Sequence, residues 1–197
     1  MRLRSVLDII KATELKQLSV GEDDDAIISF LNLALIDVYS QFNILTEEQT
    51  ITMEKDKTRY PLSENSFSVT TVYNEEGERL PLNDINNDLS VFTPAPYILH
   101  IPVPVEGKRL SVMITVAPPF VTSSNLDTLD FIVPPQLLEP LTTYVGYRAY
   151  ISMNGDQNTE NSSHYNRYLR ACNDVRKRGL LHHSVMTNTK ATDRGFV

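Results

Sequence analysis

Tryptophan is missing from this 197-residue sequence, cysteine occurs once and glycine seven times. No apolar run approaches the ~20 residues of a membrane-spanning helix, so no membrane partner is expected. The lone Cys172 leaves no intrachain disulfide to form, which suits a reducing compartment. The glycines stand singly at 21, 77, 107, 146, 155, 179 and 195. That spacing excludes a P-loop and a dinucleotide fingerprint, and no G-x-S-x-G elbow occurs. His100, His164, His182 and His183 do not supply the three or four preorganised ligands of a zinc site. Neither a metal nor another cofactor is expected, and nothing places a carboxylate in the desolvated setting that an acid catalyst needs.

What is present is a globular composition, with 41% hydrophobic and 22% charged residues, and an uneven charge. Residues 1–160 hold eleven basic and twenty-three acidic side chains, whereas 161–197 hold seven basic and two acidic. The acidic body repels bulk nucleic acid. The basic end, with Arg176, Lys177 and Arg178, has two readings: closure of a helix at the negative end of its dipole, or contact with an acidic protein surface or a phosphate. The opening "MRLRSVLDIIKATELK" carries Asp8 within its short apolar segment, which reads as an amphipathic helix and not a secretory signal.

Hydrophobic periodicity divides the chain into three parts and predicts an α+β fold: a helical bundle with an inserted antiparallel β-sheet or small barrel, and an extended C-terminal tail. The helical domain takes 1–45 and 135–179, the β insertion 46–134 and the tail 180–197. Leu3, Val6, Leu7 and Ile10 have helical spacing, as do Ile27, Leu31, Ala34, Leu35, Val38 and Phe42. Asp23, Asp24 and Asp25 fall where carboxylates cap a helix start. The middle alternates, in "TITME", at Phe67, Val69, Thr71 and Tyr73, at Tyr97, Leu99 and Ile101, and at Leu110, Val112, Ile114 and Val116. These are half-buried strands, with Gly77 and Gly107 in short hairpin connections. Nine of the eleven prolines lie between 81 and 135, as edges and ordered loops require.

Pro134-Pro135 then starts a helix that runs to Met153, with a left-handed cap expected at Asn154-Gly155. Its apolar and aromatic residues cover most of its circumference, so it is expected to be buried on several sides. Arg148, among Tyr144, Tyr147 and Tyr150, is expected in a structural ion pair, because an unpaired buried charge is costly. The alternative is an anion site of an enzyme. A last helix carries Tyr165, Tyr168, Leu169, Cys172 and Val175 on one face and ends at Gly179; there Cys172 is a small buried hydrophobe. The tail, with Leu180, Leu181, Val185, Met186, Phe196 and Val197, suits a segment that orders against a partner.

The stretch "IVPPQLLEPLTTYVGYRAYISMNGDQNTENSSHYNRYLRACNDVRKRG" resembles the C-terminal helical pair of bacteriophage head-to-tail adaptor proteins. Leu141, Tyr144, Val145, Tyr147, Arg148 and Ala149 carry the first helix of that motif, and His164, Tyr165 and Leu169 the second. The leading helix "DDDAIISFLNLALIDVY" and the β segment follow the order of parts in podovirus-type, tail-tube A-like connectors. The turn "SMNGDQNTENSS" is more polar than the pattern.

The resemblance implies a non-catalytic structural protein of the virion, made in the host bacterial cytoplasm and placed at the portal–tail junction. It implies a homo-oligomeric ring, usually of twelve subunits, on the portal protein above a tail or nozzle protein. DNA passes its lumen without being read. Arg176, Lys177, Arg178 and the tail's Leu180, Leu181, Val185, Met186 and Phe196 are the candidate contacts to portal or tail. Another connector-layer protein, for tail completion or as a stopper, and a non-viral β-sheet binding module are the alternatives.

Overall fold

A computed structural model describes residues 1–16, 24–154 and 159–179 of the chain. Two compact units divide it, one drawn from 1–30 and from 126 onward, the other from 31–125. The architecture is α+β, with helices before and after inserted antiparallel sheet structure.

The helical unit opens with α1 (Leu3–Ala12), whose Leu3, Val6, Leu7 and Ile10 are all buried, as their spacing predicts. Just before it, Arg2 bridges Ile132 in extended pairing. The Met1 ammonium donates to the Val133 carbonyl at 2.6 Å, and the Val133 N–H donates back to Met1 at 2.9 Å. Further along, Pro135–Leu137 form a 3-10 turn that leads into α3 (Leu138–Asn154). Proline suits this first turn because its missing N–H has no partner to lose. The hydroxyls of Thr142 and Thr143 donate to the Glu139 carbonyl at 3.1 and 2.7 Å, so two polar side chains are buried with satisfied donors.

Helix α4 (Thr159–Lys177) packs against α3 through Tyr168, Ala171, Cys172 and Val175, all buried. Tyr165 and Leu169 were expected on that same stripe; they instead flank it and are exposed. The core face is narrower than the spacing implies, since the small Ala171 takes the central place. The chain leaves α4 through Gly179 at φ +61°, a left-handed step natural to glycine. Its N–H donates to the Arg176 carbonyl at 3.1 Å. The expected cap at Gly155 lies outside the described residues, as does the tail from Leu180.

Helix α2 (Asp24–Phe42) contains the division between the units. Ile27, Leu31, Ala34, Leu35 and Val38 are buried as a stripe, together with Tyr39. Asp24 and Asp25 sit in its first turn, where negative charge favours the helix dipole, and Asp24 also pairs with Lys11. Asp23 lies outside the described residues.

The β unit holds two three-stranded antiparallel sheets among the described residues. One orders β1 (Thr46–Thr52), β6 (Arg109–Val116) and β3 (Ser66–Tyr73), with β6 central; the other orders β2 (Arg59–Pro61), β5 (Ile98–His100) and β4 (Phe92–Ala95). A single cluster of buried residues draws on both, including Ile51, Tyr60, Val72, Leu99, Leu110, Val112 and Ile114. On β6 the expected alternation holds, with Leu110, Val112, Ile114 and Val116 buried.

On β3 it does not. Two register shifts, between Ser66 and Ser68 and between Val69 and Thr71, each put an extra residue into the strand. The inward residues become Ser66, Val69 and Val72, and Phe67, Thr71 and Tyr73 are only half-buried. A bulge turns the period of two into a local period of three. Gly77 and Gly107 take φ +78° and +81° in their connections, which is why glycine stands there. Tyr97, expected in a strand face, lies in the turn before β5 and is exposed.

Candidate functional site

The α3–α4 pair brings the tyrosines together. Tyr144 meets Tyr168 edge-on at 5.0 Å between ring centroids and Tyr147 at 6.0 Å. Tyr147 in turn meets Tyr165 at 5.0 Å. Tyr150 stacks on His164 at 3.7 Å with 19° between the planes. Edge-on and offset pairs of this kind each contribute about 0.5–1.5 kcal/mol beyond the area they bury. Tyr144, Tyr147, Tyr165 and Tyr168 form one connected ridge in the helical unit, and Tyr165 and Leu169 are exposed.

Arg148 is half-buried in the same helix. Its Nε is shielded from solvent and has no hydrogen-bond partner among the described residues. The ion pair expected for it is not formed among them. The carboxylate beside α3 is Glu14, and it belongs to Arg167: Nη1 and Nη2 donate to Oε2 and Oε1 at 3.2 and 3.0 Å. Gly146 makes room for this arrangement. A Cβ there would stand 3.0 Å from Glu14 Oε2 and 3.3 Å from its Cβ. A side chain at 146 would therefore press on the carboxylate that holds α4. Two positions of α3 thus separate Arg148, whose Nε has no partner among the described residues, from the glycine beside which another arginine finds one.

A second fork lies near α1. Arg4 donates through Nε and Nη2 to the two carboxylate oxygens of Asp127 at 2.8 and 2.5 Å. These hydrogen bonds hold the Asp127 carboxyl below the ordinary carboxylate range and raise the Arg4 guanidinium. The pair borders a polar cavity of about 480 Å³ lined by residues 2, 4, 5 and 126–132.

In the β unit, an apolar groove of about 230 Å³ is lined by Met53, Leu80, Val91, Ile101, Val103 and Leu110, among others. Neither this groove nor the cavity beside Arg4 is lined by Arg148 or by the tyrosines of α3.

Arg176, Lys177 and Arg178 are exposed at the end of α4. Leu180, Leu181, Val185, Met186 and Phe196 lie outside the described residues, as do His182 and His183. Among the described residues no three His, Cys, Asp or Glu side chains gather as metal ligands do, and Cys172 is buried and in no disulfide. Sequence reasoning missed Glu14 and Gly146, since their partnership joins positions 132 and more residues apart. It also missed Asn32, whose buried amide donates to the Val121 carbonyl at 2.7 Å and accepts from the Val121 N–H at 2.8 Å.

No curated protein matches the chain. A family model described as SU10 adaptor protein matches residues 4–189, a span that takes in both units and the α3–α4 ridge. The chain therefore belongs to the SU10 adaptor protein family, and its role is that of a head-to-tail adaptor, a structural component of the bacteriophage virion.

Proposed function

We propose that this adaptor is one subunit of a ring that docks on the portal, presents a platform to the next tail component and lets DNA pass through its lumen. The role is structural and not catalytic, and the arrangement is that of the podovirus-type, tail-tube A-like connectors, with twelve subunits. The observation that carries the reading is the family match over residues 4–189. Two features support it. The β unit holds twelve acidic and six basic residues, and an acidic surface facing DNA forgoes the phosphate contacts that hold nucleic acid in place. Tyr165 of the aromatic ridge and Leu169 are exposed, and aromatic residues are enriched at the buried centre of protein interfaces.

Electron microscopy and light scattering of the purified chain, alone and mixed with the portal ring of its virion, test this. The expected result is a closed ring of adaptor on the portal, formed with or without a free monomer stage, because a template shifts assembly by mass action. A chain that stays unbound and unassembled beside the portal overturns it.

A further inference from the structure

The groove of the β unit is unusual for a surface that stays in water. Its mouth is formed by two irregular segments, 80–91 and 101–108, which carry apolar tips: Leu89 is 72% exposed, Val103 70% and Val105 49%. Contiguous exposed apolar surface of this sort marks an interaction site. At about 230 Å³ the groove is smaller than the roughly 300–1,000 Å³ of small-molecule sites, and it suits one or two anchoring side chains of a peptide.

Two acids, Glu75 and Asp88, and two bases, Lys108 and Arg109, line it; Glu76, 3.8 Å from Lys108, and the exposed Glu106 beside Val105 bring its surroundings to four acids against two bases. The occupant this favours is an apolar segment beside a basic run. The longest basic run of the chain has that pattern, where exposed Arg176, Lys177 and Arg178 are followed by Leu180, Leu181, Val185 and Met186. The left-handed step at Gly179 turns the chain out of α4 at the point where this segment begins.

We infer that residues 180–186 of one subunit dock in the β-unit groove of the neighbouring subunit, with the basic run 176–178 against its acidic rim. A plug and a socket at different places on one chain make a heterologous contact, which passes from copy to copy and closes into a ring when the rotation allows. The inference rests on the ring reading and assigns to the tail a place between subunits instead of on the portal.

Disulfide trapping in the full-length chain tests it, with Cys172→Ala in every variant so that only the introduced thiols react. Chains carrying Val105→Cys are mixed with chains carrying Leu181→Cys on the portal ring and oxidised mildly. The control pairs Leu181→Cys with Thr50→Cys, an exposed position on β1. Seating the segment raises the local thiol concentration, so the 105–181 mixed disulfide is expected in about tenfold or greater excess over the control. A chain carrying both Val105→Cys and Leu181→Cys is expected to give covalent multimers.

Rings that form without excess 105–181 bridging overturn the inference and leave the ring reading standing. Intrachain bridging in the double variant overturns the assignment to a neighbour. Absence of any ring on the portal overturns both. As a second measure, the exposed-site variants Leu89→Asp and Val105→Asp are expected to fold and to lose ring yield on the portal; undiminished yield counts against the groove.

Discussion

The helical unit and the β unit solve the problem of holding distant segments together in different ways. The helical unit is nearly balanced in charge, with twelve basic and thirteen acidic residues. Its ion pairs join remote positions: Arg4 with Asp127, Lys11 with Asp24, and Arg167 with Glu14. In the β unit the pairs among the described residues are the i,i+3 pair of Lys57 with Glu54 and the long contact of Lys108 with Glu76 at 3.8 Å. Cohesion there comes from one shared apolar cluster between two sheets, and the surplus of acidic residues stays on the surface. The comparison teaches that the helical unit uses surface ion pairs to set which segments meet. The β unit leaves both its charge and its apolar loop tips available to others.

Breaking the apolar side of this contrast has the largest expected effect. Leu99→Ala in the β cluster and Leu141→Ala in α3 both empty a fully buried site, and each is expected to cost about 2–5 kcal/mol in denaturant titrations. If either variant unfolds at the wild-type midpoint, that residue does not anchor its unit.

Next comes Asn32, whose amide satisfies both backbone groups of Val121. Asn32→Ala leaves a buried donor and a buried acceptor without partners and is expected to destabilise by roughly 2–4 kcal/mol. Hydrogen exchange at the Val121 amide should accelerate in the variant; unchanged exchange would show that the pairing contributes little.

A smaller effect sharpens the reading of Gly146. Alanine in a helix interior is favoured over glycine by about 1 kcal/mol, but here its Cβ meets Glu14. Gly146→Ala is therefore expected to yield no gain in the wild-type background and a gain of up to ~1 kcal/mol in Glu14→Ala. Equal effects in the two backgrounds would remove the steric argument.

The smallest effect concerns the exposed Arg4–Asp127 fork. The Asp127 carboxyl titrates below its ordinary value because Arg4 hydrogen-bonds its charged form. Its contribution is therefore present above the unfolded carboxylate pKa of about 3.9 and is lost as pH falls through the lower folded value. Asp127→Asn is expected to flatten the acid limb of the stability–pH curve and change little near neutrality. A wild-type limb in the variant would show that solvent screens the pair completely.

The apolar stripes were legible in the sequence because a helix repeats its environment every few residues. Leu3 to Ile10 and Ile27 to Val38 are buried as their spacing implies. The inward face of β3 was not legible, because a bulge leaves no mark on composition: Phe67 and Thr71 keep an alternating pattern that the chain itself does not follow. For Arg148 the need for a partner was legible, but the pairing of Arg167 with Glu14 was not, because Glu14 lies 153 positions away in sequence. The α3–α4 stretch, whose tyrosine and arginine spacing carried the resemblance, falls within the 4–189 span that the family model matches. The groove was not, since its lining comes from loops at 53, 74–91 and 101–110 that share no period.

The two-way bond between Asn32 and Val121, 89 positions apart, brings the entry and the exit of the intervening chain to one point. A segment whose ends meet behaves as a cassette, because exchanging or lengthening its interior does not move the points at which it joins the rest. The same asparagine therefore holds the two ends of residues 33–120 together whatever the length of the loops between them.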